Sequence, residues 1–240
     1  MSKLSVGPLG LLPPSAAAMG IFQPERGSGY QLVEGEHVPE DKAIETLAIK
    51  LLSTRNPTLF PGPLVVWGWN KEAEHKAELA LKLVAEVPGM NVIPMPDYRP
   101  IYPKIDAEAV MNPCHPNLTI QQNKIEVCAF IGVHCHFANV TLKMIRANTN
   151  CYTMALCQYD GHEDALLSIR DLDGAKLEKI IATIKDVKKS GKVTPWAFTP
   201  EGKEELEEIA ARKAKNKAPA KEDTNLFMSD LEQGLDENAE

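Results

Sequence analysis

Short apolar runs alternate with amphipathic segments along the middle of the chain, and this alternation is the feature that most limits its possible folds. The apolar runs, which are typical of buried strands, are residues 64–69, 91–95, 124–131 and 151–157. The amphipathic segments, which predict helices, are residues 39–53, 71–86, 138–147 and 175–188. Repeated strand–helix units predict right-handed crossovers. We therefore expect an α/β fold with a small doubly wound, mainly parallel sheet, similar to that of dinucleotide-binding domains.

Three single residues add detail to this expectation. Pro94 cannot donate a backbone hydrogen bond, so the strand at residues 91–95 is predicted to lie at an edge of the sheet. Asn70 and Asp173 lie just before two of the predicted helices, 71–86 and 175–188, and their side chains are of the type that caps a helix N-terminus.

Both ends of the chain differ from this core in composition. Residues 1–37 contain many Gly, Pro and Ser residues, and they predict an extended N-terminal arm that wraps a partner or is loosely ordered. Residues 38–190 are the predicted α/β core domain. Residues 191–240 are predicted to contain a linker, a highly charged helix at 201–217 and an acidic tail at 223–240.

Charge and cysteine content exclude several classes of protein. The formal net charge is −7, whereas nucleic acids and anionic membranes select basic proteins, so we expect neither as a partner. No stretch of apolar residues is long enough to predict a transmembrane helix. Prolines interrupt the N-terminus, which does not resemble a secretory signal. The five cysteines are odd in number and include no CxxC pair, which favours reduced thiols and a cytoplasmic location.

Histidine and cysteine residues collect where the predicted strands end. Ligands bind at the carboxyl ends of the strands in open α/β sheets, and imidazole and thiolate are the usual ligands of zinc and iron. The candidate metal ligands are His134, Cys135, His136 and His162. His134 and His136 would face the same way only if the backbone between them were extended. Cys114 and His115, from the long loop at residues 96–124, could reach the same edge.

Other interpretations of these residues remain open. The same side chains could line a polar crevice or an interface, with Cys128, Cys151 and Cys157 as small apolar core groups. Cys135 could instead be a nucleophile. Glu163 and Asp164 could form an acid–base cluster with His162, or they could cap a short helix that leads to Leu167.

A nucleotide site is a further candidate at the same edge. A glycine after a strand lets backbone approach a phosphate, and a helix N-terminus favours an anion. The candidate cofactor-binding residues are Gly68, Trp69, Asn70 and Gly132. The glycine-rich fingerprints GxGxxG and GxxxxGK[ST] are absent from the sequence.

Three segments together resemble a known family. They are the run PLVVWGW at residues 63–69, the alanine-rich segment that follows it, and the run FIGVHCHFAN at residues 130–139. They are similar to the small accessory subunit, called epsilon or beta, of carbon monoxide dehydrogenase/acetyl-CoA synthase complexes. They are also similar to the epsilon subunit of five-subunit 2-oxoacid:ferredoxin oxidoreductases that fix carbon dioxide. The resemblance covers roughly residues 38–190.

The resemblance implies a parallel α/β fold similar to the middle domain of thiamine-diphosphate enzymes. It also implies a non-catalytic or regulatory role beside larger subunits that carry thiamine diphosphate or iron–sulfur clusters, without a cluster of its own. A flavin or nicotinamide nucleotide is the cofactor that such a fold could bind. We therefore expect an accessory subunit of a low-potential, carbon-converting oxidoreductase. The alternatives are a stand-alone metal-dependent enzyme that uses the His/Cys cluster and a nucleotide-binding sensor.

Overall fold

The computed structural model describes residues 4, 7, 14–95 and 116–216, and the side chains of all of these except 212–216. The chain divides into two compact units, residues 1–202 and 203–240. The first unit carries a β-sheet, and the described part of the second is helical.

The described residues contain seven strands and seven α-helices. The strands are β1 (Tyr30–Val33), β2 (Glu36–Pro39), β3 (Thr58–Pro61), β4 (Asn91–Val92), β5 (Val127–Ile131), β6 (Tyr152–Leu156) and β7 (Leu167–Ile169). The helices are α1 (Glu40–Ser53), α2 (Pro63–Val66), α3 (Lys71–Glu86), α4 (Pro116–Gln122), α5 (Cys135–Asn148), α6 (Gly174–Lys189) and α7 (Pro200–Asn216).

All seven strands belong to one sheet, in the order β2-β1-β7-β6-β5-β3-β4. The five strands β3 to β7 pair in parallel, whereas the β1–β2 hairpin is antiparallel and joins the sheet along β7. Among the parallel strands, β3 comes first in the chain and lies between β4 and β5. This is a common doubly wound order. The predicted α/β class with a mainly parallel sheet is therefore confirmed. The order reverses between β3 and β5, and this position is the switch point of the sheet.

Alternate residues of the central strands face opposite layers of helices. On β5, Val127, Ala129 and Ile131 belong to the apolar cluster that includes the buried sides of α1, α3 and α6. Cys128 and Phe130 belong to a second cluster, which includes the buried residues of α4 and α5. The sheet is therefore buried on both faces, as parallel sheets are. This explains why β5 is a continuous apolar run.

Four predicted helices are confirmed, and so are the two predicted caps, Asn70 and Asp173. Helices α1, α3, α5 and α6 lie where their apolar periodicity predicts them. The side chain of Asn70 accepts a hydrogen bond from the backbone of Ala73 at 2.9 Å, and that of Asp173 accepts one from Lys176 at 2.7 Å. The edge position of β4 and the charged C-terminal helix, now α7, are also confirmed. The acidic tail at 223–240 and most of the long loop at residues 96–124 lie outside the described residues.

The predicted strand at residues 64–69 is wrong. The strand is instead Thr58–Pro61, which precedes the apolar run, and all four of its residues are buried. Pro63 then begins the short helix α2, because its fixed φ suits the first helical position and it needs no hydrogen-bond partner there. Trp67 and Trp69 therefore do not alternate along a strand. A short apolar run alone does not distinguish a strand from a helical turn.

Part of the segment assigned to the N-terminal arm belongs to the core. Residues 30–39 form the β1–β2 hairpin, whose turn at Glu34 and Gly35 has positive φ at both positions. This is the turn geometry that matches the twist of a two-residue hairpin. Leu4, Ala16 and Ile21 are also buried in the larger apolar cluster.

Glu163 and Asp164 do not cap a helix, because the strand β7 follows them. Asp164 instead makes a buried ion pair with Arg146 of α5, with 2.7 Å between Oδ1 and Nη2. Oδ1 also accepts a hydrogen bond from the backbone of Ala16 at 3.2 Å. The ion pair and this hydrogen bond thus connect α5, the loop before β7 and the N-terminal segment at Ala16.

None of the helices among the described residues combines the length and the apolar character needed to cross a membrane.

Glu40, at the first turn of α1, is expected to contribute to acid sensitivity. Its partial burial raises the pKa, but ion pairs with Lys179 at 2.9 Å and Lys176 at 3.0 Å outweigh this and lower the pKa to about 2. Because the folded pKa lies below the ordinary value of 4.5, the carboxylate stabilises the fold above pH 4.5, and this stability is lost as the pH falls towards 2. Allowing for solvent screening, Glu40→Gln should lower the free energy of unfolding by about 1–2 kcal/mol at pH 7.

Urea unfolding at several pH values measures this effect, and the difference between Glu40→Gln and wild type should shrink below pH 4.5. Glu45→Gln is the matched control, since Glu45 makes one exposed ion pair with Lys192. It should cost no more than about 1 kcal/mol. Equal losses in both variants, or a difference independent of pH, would contradict the prediction.

Candidate functional site

Two glycine turns meet at the switch point of the sheet. Gly62 follows β3 and Gly132 follows β5, so both lie at carboxyl ends of neighbouring strands. The Gly62 N–H donates to the carbonyl of Ile131 at 2.8 Å, and the Leu64 N–H donates to the carbonyl of Gly132 at 3.0 Å. These bonds extend the β3–β5 pairing into the two turns.

The two glycines allow the turns to pack together. A Cβ atom on Gly62 would lie 2.4 Å from the carbonyl oxygen of Gly132 and 2.6 Å from Cα of Val133. Gly132 has a φ of +64°, and a Cβ there would lie 2.4 Å from the side chain of Val65. The space beside each glycine is therefore occupied by other protein atoms. The missing side chains do not leave exposed backbone that a phosphate could approach.

A cavity of about 290 Å³ lies beside these turns at the carboxyl edge of the sheet. Its apolar part includes Val65, Ile131 and Leu156, and its rim carries the aromatic rings of Trp69 and Tyr159. Cys135 and Cys157 also line it, and so do the polar residues Asn70, Glu72, Lys76 and Gln158.

The polar groups of the cavity already have protein partners. The Asn70 side chain caps α3, and the buried Lys76 ammonium pairs with Glu72 at 2.7 Å. Gln158 donates to the same Glu72 oxygen at 3.3 Å. No free cation therefore faces the cavity from these residues.

Three of the four predicted cofactor-binding residues line the cavity. They are Trp69, Asn70 and Gly132, whereas Gly68 does not line it. The indole N–H of Trp69 donates to the carbonyl of Pro63 at 2.8 Å. Both glycine turns are filled, and the cavity volume is at the small end for ligand pockets.

Two thiols and one imidazole meet at the edge of this cavity. They belong to Cys135, the first residue of α5, to Cys157, just after β6, and to His162, in the β6–β7 loop. Their potential ligand atoms all lie within 4.8 Å of one another. Cys135 is exposed, whereas Cys157 and His162 are buried. We call this set the Cys–Cys–His cluster.

The surroundings favour the neutral forms of His162 and Cys135. Burial lowers the pKa of His162 to about 4, and the nearby Asp160 opposes this shift only in part. Partial burial raises the pKa of the Cys135 thiol, and the neighbouring Cys157 thiol raises it further. His162 is held in place because its Nδ1 lies 2.9 Å from Oδ1 of Asn139 and its backbone N–H donates to Ser168 Oγ at 2.9 Å.

The structure brings together only part of the predicted metal-ligand set. Cys135 and His162 converge, but His134 and His136 are not in the cluster. α5 begins at Cys135, so the backbone through His136 is helical rather than extended, and the two rings stack at 5.9 Å between centroids. Cys114 and His115 lie outside the described residues.

Sequence reasoning missed Cys157 as a member of this cluster. It was interpreted as a core residue, as Cys128 and Cys151 are, and all three are buried. The available signal was its position: Cys157 is the first residue after β6, at the same sheet edge as Cys135 after β5. Cys128 lies within β5 and Cys151 precedes β6, so neither lies at that edge.

Comparison with protein families gives one result that covers most of the fold. A family model described as CO dehydrogenase beta subunit/acetyl-CoA synthase epsilon subunit matches residues 23–186. The match begins before β1 and ends within α6, so it contains every strand of the sheet. A search of curated proteins gives no match. The family agrees with the one that the runs PLVVWGW and FIGVHCHFAN predict.

Proposed function

Because the chain belongs to the CO dehydrogenase beta subunit/acetyl-CoA synthase epsilon subunit family, we propose that it is an accessory subunit of a low-potential, carbon-converting oxidoreductase complex. The observation that carries this proposal is the family match over residues 23–186. The host is a complex of the carbon monoxide dehydrogenase type or a 2-oxoacid:ferredoxin oxidoreductase. In either host the protein acts in the cytoplasm, bound to larger subunits.

The subunit is proposed to be non-catalytic. This is supported by the cavity, where the polar side chains of Asn70, Glu72 and Lys76 are engaged with one another or with backbone. The chemistry is assigned to thiamine diphosphate or iron–sulfur clusters on the larger subunits. The filled glycine turns at the switch point support a subunit without a flavin or nicotinamide of its own.

The face around the cavity is proposed to contact a larger subunit. Trp69 is 68% exposed and Tyr159 is 54% exposed, and the exposed Val66 lies in the adjacent helix α2. Exposed aromatic side chains beside an apolar cavity are typical of protein interfaces, where Trp and Tyr contribute much of the binding energy. We refer to Val66, Trp69 and Tyr159 as the aromatic rim.

Anaerobic purification from the native cells tests the assignment, with mass determination of every chain that co-purifies. Large subunits with bound thiamine diphosphate or iron–sulfur clusters should accompany this chain in a fixed ratio. The identity of those cofactors distinguishes the two hosts. A chain that emerges alone, or only with copies of itself, would overturn the proposal.

Replacing Trp69 should weaken this association. Loss of a central interface tryptophan costs about 2 kcal/mol or more, so Trp69→Ser should raise the dissociation constant for the purified larger subunits about 30-fold. Trp69→Phe should restore much of the affinity. Leu81→Ser is the control, because Leu81 is 65% exposed but lies on α3 beyond the cavity. Equal weakening by Leu81→Ser, or none by Trp69→Ser, would argue against the aromatic rim as the interface.

A further inference from the structure

The Cys–Cys–His cluster has the donor set of a transition-metal site. Two sulfur atoms and one ring nitrogen within 4.8 Å of one another come from three segments that are separate in sequence. The topology of the sheet, rather than a local sequence motif, brings them together. Among the residues that the structure describes, this is the one group of three or more potential ligands of this kind.

The distances between the three potential ligand atoms are close to those around a tetrahedral metal ion. With Zn–S bonds of about 2.3 Å and Zn–N bonds of about 2.0 Å, ligand atoms around zinc lie roughly 3.5–3.8 Å apart. The present separations, up to 4.8 Å, can close by a side-chain adjustment. The side chain of Cys135 can make this adjustment because the residue is exposed.

His162 has the second contact that a metal-binding histidine normally makes. A ligating imidazole usually donates its other ring N–H to an oxygen atom, which fixes the tautomer and the ring orientation. Nδ1 of His162 lies 2.9 Å from Oδ1 of Asn139, so Nε2 is the nitrogen that a metal would use. Burial keeps the imidazole neutral, which is the form that binds metals.

We propose that Cys135, Cys157 and His162 bind a borderline-soft divalent cation, of which zinc is the representative. Two thiolates and one imidazole leave the fourth tetrahedral position open. Since both cysteines line the cavity, this position faces it and can take water or a donor atom from a small molecule or a partner. On binding, each thiol gives its proton to the buffer and His162 supplies a lone pair, so no oxidant or reductant is needed.

Metal titration of the untagged full-length protein, reduced and anaerobic, tests this site. After treatment with a chelator, Zn²⁺ is titrated in competition with a chromophoric chelator, and Co²⁺ is used as a spectroscopic probe. We expect about one equivalent of zinc per chain. The cobalt form should show thiolate-to-metal charge-transfer absorption together with the visible bands of tetrahedral cobalt. Far-ultraviolet circular dichroism confirms that each variant is folded.

Variants distinguish this site from the other thiols and histidines. Cys135→Ser, at an exposed position, should lower zinc affinity about 100-fold or more, and Asn139→Ala should lower it about 10–100-fold. Cys151→Ala is the matched control, because Cys128 and Cys151 also adjoin each other but belong to no group of three ligands in the described residues. His136→Ala tests the set predicted from the sequence. Both controls should leave the affinity unchanged.

Three results would overturn the proposal. The first is a folded wild-type protein that takes up no zinc. The second is zinc binding that Cys135→Ser leaves unchanged or a cobalt spectrum without the thiolate band, since either would indicate only adventitious surface binding. The third is loss of affinity in Cys151→Ala or His136→Ala, which would place the metal elsewhere. None of these results depends on which complex the subunit joins.

Discussion

Asp164→Asn is expected to lower the free energy of unfolding by about 3–5 kcal/mol, because it leaves a buried guanidinium without its counter-charge. The side chain of Arg146 is 1% exposed, and its Nη2 lies 2.7 Å from Asp164 Oδ1. Asparagine keeps the size of the aspartate but not its charge. Oδ1 also accepts the Ala16 N–H, and the amide oxygen of asparagine can still accept it, so the loss reports on the charge. Urea unfolding of the full-length chain, followed by circular dichroism, measures the effect.

Two controls separate charge burial from a general loss of contacts. Arg26→Gln breaks an ion pair with Asp171 of similar length, 2.9 Å, but Arg26 is mostly exposed, so it should cost at most about 1 kcal/mol. The double variant Arg146→Met/Asp164→Leu replaces the buried pair by apolar side chains and should recover most of the stability. If Asp164→Asn costs no more than Arg26→Gln, the pair does not have the proposed role.

The sequence predicts those parts of the fold that depend on nearby residues. Helix α3 follows from its apolar periodicity, its cap Asn70 and its acidic first turn, all of which lie within the helix or next to it. Helix α6 likewise follows from its apolar periodicity and its cap Asp173. β5 is recognised because it is buried on both faces, which gives a continuous apolar run. In each case the residues that identify the element in the sequence are also the residues that stabilise it.

The features that the sequence does not predict depend on distant partners. β3 contains two residues of ordinary strand type and ends in a proline, and it becomes a strand because β4 and β5 pair with it. β7 has only three residues and is stabilised between β6 and the β1–β2 hairpin. The Arg146–Asp164 pair likewise spans helix and loop. Tertiary contacts override weak local preference in each case.

The candidate site also has one part that the sequence predicts and one part that depends on distant residues. Its location at the carboxyl edge follows from the fold class, and Cys135 and His162 are expected there because each follows a predicted strand. Which further residue joins them depends on where β6 ends and α5 begins, and the sequence indicates these boundaries only approximately. Because α5 starts at Cys135, His134 and His136 are not in the cluster. Because β6 ends at Leu156, Cys157 lies in the cluster.

Gly62→Ala is expected to be the most damaging substitution at the switch point. The new Cβ would lie 2.4 Å from the Gly132 carbonyl oxygen and 2.6 Å from Cα of Val133. Both are backbone atoms of the turn after β5, so no side chain can rotate away to relieve the contact. The β3 and β5 turns must then separate, which also strains the bond from the Gly62 N–H to the Ile131 carbonyl. We expect a loss of at least about 3 kcal/mol in the free energy of unfolding.

Gly68→Ala is the matched control for this effect. Gly68 has a positive φ of +57°, but a Cβ there meets only the Glu74 side chain, at 3.4 Å. Its cost should therefore be the conformational strain alone, about 1–2 kcal/mol. The backbone of Gly62 has a φ of −94° that any residue can adopt, so a larger loss in Gly62→Ala can come only from the close approach of the two turns. Urea unfolding of the two variants side by side decides this, and a smaller loss for Gly62→Ala would mean that the turns can separate at little cost.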